Sequence, residues 1–134
     1  MGEDRMQIGE VAERTGLSLR TIRYYGEVGL VEPSARSKGG FRLYTGADVE
    51  RLLLVKRMKP LEFSLEEMRD LLGAFDALEA GGVTPDERAG LLARLDAFGE
   101  AAAERCRVLR ERLDMAEEFA GRLRDQRARL DGGA

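Results

Sequence analysis

Arg20-Thr21-Ile22-Arg23-Tyr24-Tyr25 and, after a Gly-Gly turn, Gly40-Phe41-Arg42-Leu43-Tyr44 gather guanidinium, hydroxyl and phenol groups into one short stretch. Guanidinium forks pair with phosphate oxygens and base edges, and Thr and Tyr hydroxyls bond to phosphate. That chemistry grips a duplex; it does not make or break bonds. Ser18 precedes the first block, Arg36 and Lys38 precede the second, and Lys56, Arg57 and Lys59 follow it. The DNA-binding candidates are therefore Ser18, Arg20, Thr21, Arg23, Tyr24, Tyr25, Arg36, Lys38, Arg42, Tyr44, Lys56, Arg57 and Lys59. A plainer reading makes the arginines and Lys38 a solvated face, and leaves Tyr24 and Tyr25 open between phosphate contact and core. An enzyme is not expected: no histidine is present as a general base, and no glycine loop is built to cradle phosphate.

Charge supports the same partner once its distribution is considered. The net charge is −3 over 134 residues. Yet Arg14 to Lys59 carries ten basic and four acidic residues, whereas Asp76 to the end carries ten basic and thirteen acidic. The first half can meet phosphate while the second stays away from it. Charged residues make up 35% and aromatics 6%, a balance that favours long helices over a large core. One cysteine and no histidine exclude a disulfide framework and a thiolate or imidazole metal site within the chain, so neither metal nor cofactor is expected. No apolar run approaches the ~20 residues that cross a bilayer, and no signal pattern opens the chain. A cytoplasmic protein without membrane contact is the expectation.

The elements that must position these residues are legible in order. Ile8, Val11 and Ala12 lie at i, i+3 and i+4, the apolar stripe of a helix over 8–14. Thr15-Gly16 ends it, Ser18 caps the next helix over 19–25, and the pair makes a helix-turn-helix. Leu30-Val31 begins a short extended run that Pro33 ends. Residues 34–44, polar and basic around Gly39-Gly40, form a hairpin wing. Thr45 caps a third helix that stops at Pro60, and Ser64, with Glu67 three residues on, caps a fourth to about Phe75. The winged domain spans 6–75, and 76–84 is a linker around Ala80-Gly81-Gly82.

From Pro85 a heptad takes over. Alternate steps of three and four from Leu92 reach Leu95, Gly99, Ala102, Cys106, Leu109, Leu113, Ala116, Ala120, Leu123, Arg127 and Leu130. Such a seam marks a coiled coil. A helix over 85–130 would run ~69 Å at ~1.5 Å per residue. Gly90, Gly99 and Gly121 each cost ~1 kcal/mol inside it, so a partner helix is needed, and the simplest is a second copy. Leu92, Leu95, Ala102, Cys106, Leu109, Leu113, Ala116, Ala120 and Leu123 are the dimerisation candidates. Cys106 reads as a small apolar seam residue. The alternative is a thiol that meets its own copy in an antiparallel dimer and is oxidised across it.

Taken together, Ile8-Gly9-Glu10-Val11-Ala12, Thr15-Gly16-Leu17-Ser18, Arg20 to Tyr25, Gly29-Leu30, Gly40 to Tyr44, Asp48-Val49 and Phe63 to Glu67 resemble the MerR family of bacterial transcription regulators. The resemblance covers residues 6–72 with its spacing intact. It implies a mainly all-α fold: a winged helix-turn-helix domain with a small β-hairpin wing, then a long antiparallel coiled-coil dimerisation helix. It also implies a homodimer on a pseudo-palindromic operator, inside a promoter spacer too long for RNA polymerase, which the protein bends and untwists. Arg20, Thr21, Arg23 and Tyr24 then fall where the recognition helix enters the major groove, and Lys38, Arg42 and Tyr44 fall on the wing. Gly26 and Glu62 depart from the family pattern. Glu62 stands where Gly is common, which implies a different turn between the third and fourth helices. What one cysteine leaves open is regulation without an effector, an unidentified small molecule, a redox signal or a partner protein. Alternative functions are an architectural or recombination-accessory DNA-bending protein, or a hetero-oligomeric adaptor.

Overall fold

Hydroxyl side chains decide where the second, third and fourth helices begin. In the computed structural model, which describes residues 5–132, Ser18 accepts a hydrogen bond from the Thr21 amide (3.1 Å), Thr45 from the Asp48 amide (3.3 Å) and Ser64 from the Glu67 amide (3.0 Å). Each satisfies a donor that the first helical turn leaves unpaired. The Thr45–Asp48 and Ser64–Glu67 pairs close in both directions as capping boxes. The elements are β1 (Arg5–Met6), α1 (Ile8–Thr15), α2 (Leu19–Glu27), β2 (Ala35–Arg36), β3 (Arg42–Thr45), α3 (Gly46–Met58), a 3-10 turn (Lys59–Leu61), α4 (Leu65–Ala80) and α5 (Pro85–Gly132). The mainly helical fold with a small sheet and a long C-terminal helix is the one expected.

Gly16 closes α1 at φ 73°, the left-handed conformation that glycine adopts without a Cβ clash, and its amide bonds to the Ala12 carbonyl at 2.9 Å. The wing forms as β2 against β3, with Ala35 opposite Leu43 and Arg36 opposite Arg42. A third strand was not expected. β1 pairs antiparallel with the other side of β3, Met6 opposite Tyr44, so β3 is central. Two residues are too few to show a strand period. Leu30 and Val31, expected as an extended run, instead form a buried turn in which both amides bond to the Tyr25 carbonyl.

The core of this part is built by Val11, Ile22, Val31, Leu52 and Val55, all at most 2% exposed. Glu62 is the one non-glycine residue with positive φ among the described residues (φ 62°, ψ 30°). Its amide bonds to the Lys59 carbonyl at 2.9 Å. The turn after Pro60 thus keeps a left-handed closure, at roughly 1–2 kcal/mol for a side-chain-bearing residue. α4 runs on to Ala80, so the first five residues of the expected linker are helical and the connection shrinks to 81–84. Thr84 and Glu87 then form a reciprocal cap on α5.

The chain divides into two compact units, one ending at Arg94 and one beginning at Leu95. The first includes the opening turns of α5, where Arg94 pairs with Asp70 of α4. No residue of α5 is buried. No helix among the described residues is long and apolar enough to cross a membrane.

Candidate nucleic-acid interface

Ile22 and Tyr25, three residues apart on α2, are both buried. That fixes the helix's rotation and leaves Arg20, Arg23 and Tyr24 on the exposed side, with Thr21 half-buried. Tyr24 is 47% exposed and Tyr25 2%, their ring centroids 5.7 Å apart. The adjacent tyrosines therefore divide: Tyr24 is a surface group, and Tyr25, proposed among the contact residues, is core. Ser18 Oγ lies 2.9 Å from Thr21 Oγ1 while capping α2, so both hydroxyls are engaged at the helix start.

The wing is held from its tip. The Gly40 amide bonds to the Ser37 carbonyl (3.0 Å), the Ser37 amide to the Phe41 carbonyl (2.8 Å) and the Phe41 amide to Ser37 Oγ (3.1 Å). Arg36 Nη1 donates to the Gly40 carbonyl at 3.1 Å. Arg36, Lys38, Phe41 and Arg42 are all exposed.

α2 and the wing border an open concavity of about 620 Å³, lined among others by Arg23, Gly26, Glu27, Phe41, Arg42 and Tyr44. Two arginines about twenty residues apart in sequence thus face one space. Among the described residues neither makes an ion pair. Tyr44, expected on the wing surface, is 6% exposed. It shares a face of β3 with Arg42, but Met6 of β1 pairs opposite it, while Arg42 lies at the start of the strand opposite Arg36. Burial raises the Tyr44 phenol above its ordinary 10.0, the Asp48 carboxylate adds to this, and Arg42 and Arg23 oppose it.

The basic residues of α3 lie elsewhere. Lys56, expected to reach the DNA backbone, donates instead to the Thr15 carbonyl at 2.7 Å and ties the end of α1 to α3. A helix C-terminus leaves carbonyls unpaired, and an ammonium satisfies one. Arg57 borders a separate groove of about 390 Å³ between α3 and α4, floored by Leu53, Leu54, Leu72 and Phe75. Lys59 is exposed on the 3-10 turn and does not line the α2–wing concavity. Phe41 was passed over as a site residue although it is 74% exposed and lines the concavity. An aromatic directly after Gly-Gly in a polar loop was the available signal.

On α5, the seam residues Leu92, Leu109, Leu113 and Leu123 are 39–58% exposed. Leu95, Ala102 and Cys106 are half-buried, and Ala116 and Ala120 are exposed. Met115 and Phe119, outside the seam, are 70% and 66% exposed, so the apolar face is broader than the heptad alone.

Comparison with known proteins accords with this geometry. The family model for "MerR HTH family regulatory protein" matches residues 6–74. The mercuric resistance operon regulatory protein of Bacillus cereus is 42% identical over 76 residues, 57% of this chain and 58% of that protein. The chain spans about half the length of the curated relatives it matches. A MerR family transcriptional regulator from Bacillus thuringiensis superposes with a TM-score of 0.71 at 16% identity, covering 91% of this chain and 99% of that one. HiNmlR, a MerR family regulator lacking the sensor domain and bound to promoter DNA, superposes at 0.70 with 23% identity, covering 93% and 94%. At these identities the structural likeness is one of fold.

Proposed function

The chain belongs to the MerR HTH family of regulatory proteins, and we propose that it is a homodimeric, promoter-binding transcription regulator of the cytoplasm. The observation that carries this reading is the convergence of Arg23 from α2 and Arg42 from the wing on one open concavity. α2 enters the major groove with Arg20, Arg23 and Tyr24 forward. The wing, through Arg36, Lys38, Phe41 and Arg42, holds the flanking backbone. Phosphate contacts fix register, and an arginine on a base edge adds sequence preference.

Dimerisation through the apolar face of α5 sets two such domains on a pseudo-palindromic operator. In a promoter whose spacer is too long, the contacts offset the cost of bending and untwisting the DNA and bring its two elements into register for RNA polymerase. One cysteine and no histidine per chain supply too few soft ligands for a metal site within one chain. The effector proposed is therefore a small molecule, a redox signal at Cys106 or a partner protein.

The test is recovery and sequencing of genomic fragments bound by the purified chain. A short inverted repeat between the two elements of an overlong promoter is the expected result. Scattered, motif-free binding would replace this reading with the architectural one. On the recovered site, Arg23→Ala and Arg42→Ala should each cost ~1–3 kcal/mol where the arginine reads a base, measured by fluorescence anisotropy. Unchanged affinity in both variants would remove the assignment.

A further inference from the structure

Asp48 is wholly buried, yet it is a carboxylate in the first turn of α3. Its Oδ2 accepts three hydrogen bonds: from the Ser34 amide (3.0 Å), Ser34 Oγ (2.8 Å) and the Thr45 amide (2.9 Å). Ser34 immediately precedes β2 and Thr45 ends β3, so a single oxygen holds both feet of the wing. Ser34 Oγ and Thr45 Oγ1 are themselves 3.1 Å apart. The other oxygen, Oδ1, accepts no hydrogen bond, and Arg51 Nη1 stands 3.9 Å from it. Arg51 is in turn paired with Asp76 on α4.

We propose that Asp48 is the positioning residue of the wing: it clamps both feet of the hairpin to α3 and thereby aims Arg36, Lys38, Phe41 and Arg42. This rests on the DNA-binding reading above. A helix N-cap needs only the bond from Thr45, and the two bonds from Ser34, fourteen residues away, go beyond capping. β2 has two residues and pairs with β3 at two positions, too little for a ribbon to hold its own direction. Direction must come from its base. The turn of the wing begins at Ser37, three residues beyond Ser34, ~10 Å at ~3.3 Å per residue, so a tilt of about 10° at the base moves it by ~1.7 Å. A shift of that size breaks a hydrogen bond to phosphate. Burial beside Val49 and Leu52 ties the clamp to the core.

Asp48→Ala would also remove the α3 cap, so the cleaner variant is Ser34→Ala. Ser34 is exposed, and the change removes its hydroxyl bond to Oδ2, leaving the amide bond, without opening the core. The probe is the duplex that the wild-type chain selects from a random-sequence pool, with affinity read by fluorescence anisotropy. Ser34→Ala should weaken binding about fivefold in the wild-type background, and about twofold or less when Arg42 is already Ala. A hydroxyl-radical footprint should lose protection at the flanks of the site and keep it at the centre. An equal loss in both backgrounds, no loss at all, or uniform fading of the footprint would overturn the clamp while leaving the DNA-binding reading in place. If the wild-type chain selects no duplex, the binding reading itself fails, and the clamp with it.

Discussion

In the unit that ends at Arg94, Ile22, Leu52 and Val55 are wholly enclosed and a carboxylate is sealed in beside them. In the unit that begins at Leu95 no described residue is buried, and Leu113, Phe119 and Leu130 are 58%, 66% and 73% exposed. The two are stabilised by different forces. Burial of side chains from distant parts of the sequence holds the first. Backbone hydrogen bonds and neighbouring charge pairs hold the second, such as Arg107 between Glu104 and Glu111. Exposed pairs of this kind contribute little, because solvent screens them. Gly99 and Gly121 each cost ~1 kcal/mol. The contrast teaches that the winged unit carries its core within one chain, whereas the distal helix presents an apolar face that one chain leaves uncovered.

The strongest challenge to that contrast is a core truncation. Leu52→Ala should cost ~2–5 kcal/mol in urea denaturation, independent of protein concentration. A comparable loss from Leu113→Ala at high dilution would erase the difference between the units.

Charge placed on the distal face comes next. Leu113→Glu with Leu123→Glu should shift the chain to monomer in sedimentation velocity, while the unfolding transition of the winged unit stays where it was. An unchanged mass would remove α5 as the dimer seam.

A smaller effect sharpens the first half of the comparison. Glu62 holds a left-handed conformation where the 3-10 turn closes on the Lys59 carbonyl. Glu62→Gly should therefore raise the stability of the winged unit by ~1 kcal/mol, seen as a later denaturation midpoint. No gain would mean that contacts of the Glu62 side chain offset the strain.

The smallest effect concerns α5. Hydrogen bonds with Thr84 lower the Glu87 carboxyl below its ordinary 4.5. A depressed folded value means the cap's contribution is present above 4.5 and is lost as pH falls through the lower folded value. Acid should fray the first turn of α5, read by nuclear magnetic resonance at Glu87. In Thr84→Ala, which keeps the backbone amide and loses only the hydroxyl, the Glu87 titration should return part of the way toward 4.5.

Much of the fold was legible because its signals are local. Ser18, Thr45 and Ser64 are caps whose partners lie three residues on, and Gly16 ends a helix by its own conformation. The α3 stop before Pro60 needs only the missing amide of proline. The site was legible to the extent that it rests on one helix: the burial of Ile22 settles which way Arg20 and Arg23 point. It was not legible where the answer depends on a distant partner. Tyr25 and Tyr24 are the same residue type side by side, and only packing chooses between them. Lys56 resembles the other basic residues of its run until the end of α1 is seen against it. Asp48 lies in the first turn of α3, and its tie to the wing appears only when Ser34 is brought to it.

By itself, then, the sequence determined where the helices start, the basic and aromatic set on α2 and the wing, and the apolar stripe of the long helix, because periodicity, caps and glycine conformations act within a few residues. Tertiary structure decided that β1 pairs with β3 beside Tyr44, that Lys56 serves α1, that Arg23 and Arg42 share one concavity and that one buried oxygen holds both feet of the wing. Those outcomes depend on which distant segments pack together, and a pairing such as Met6 with Tyr44 leaves no local pattern in either segment.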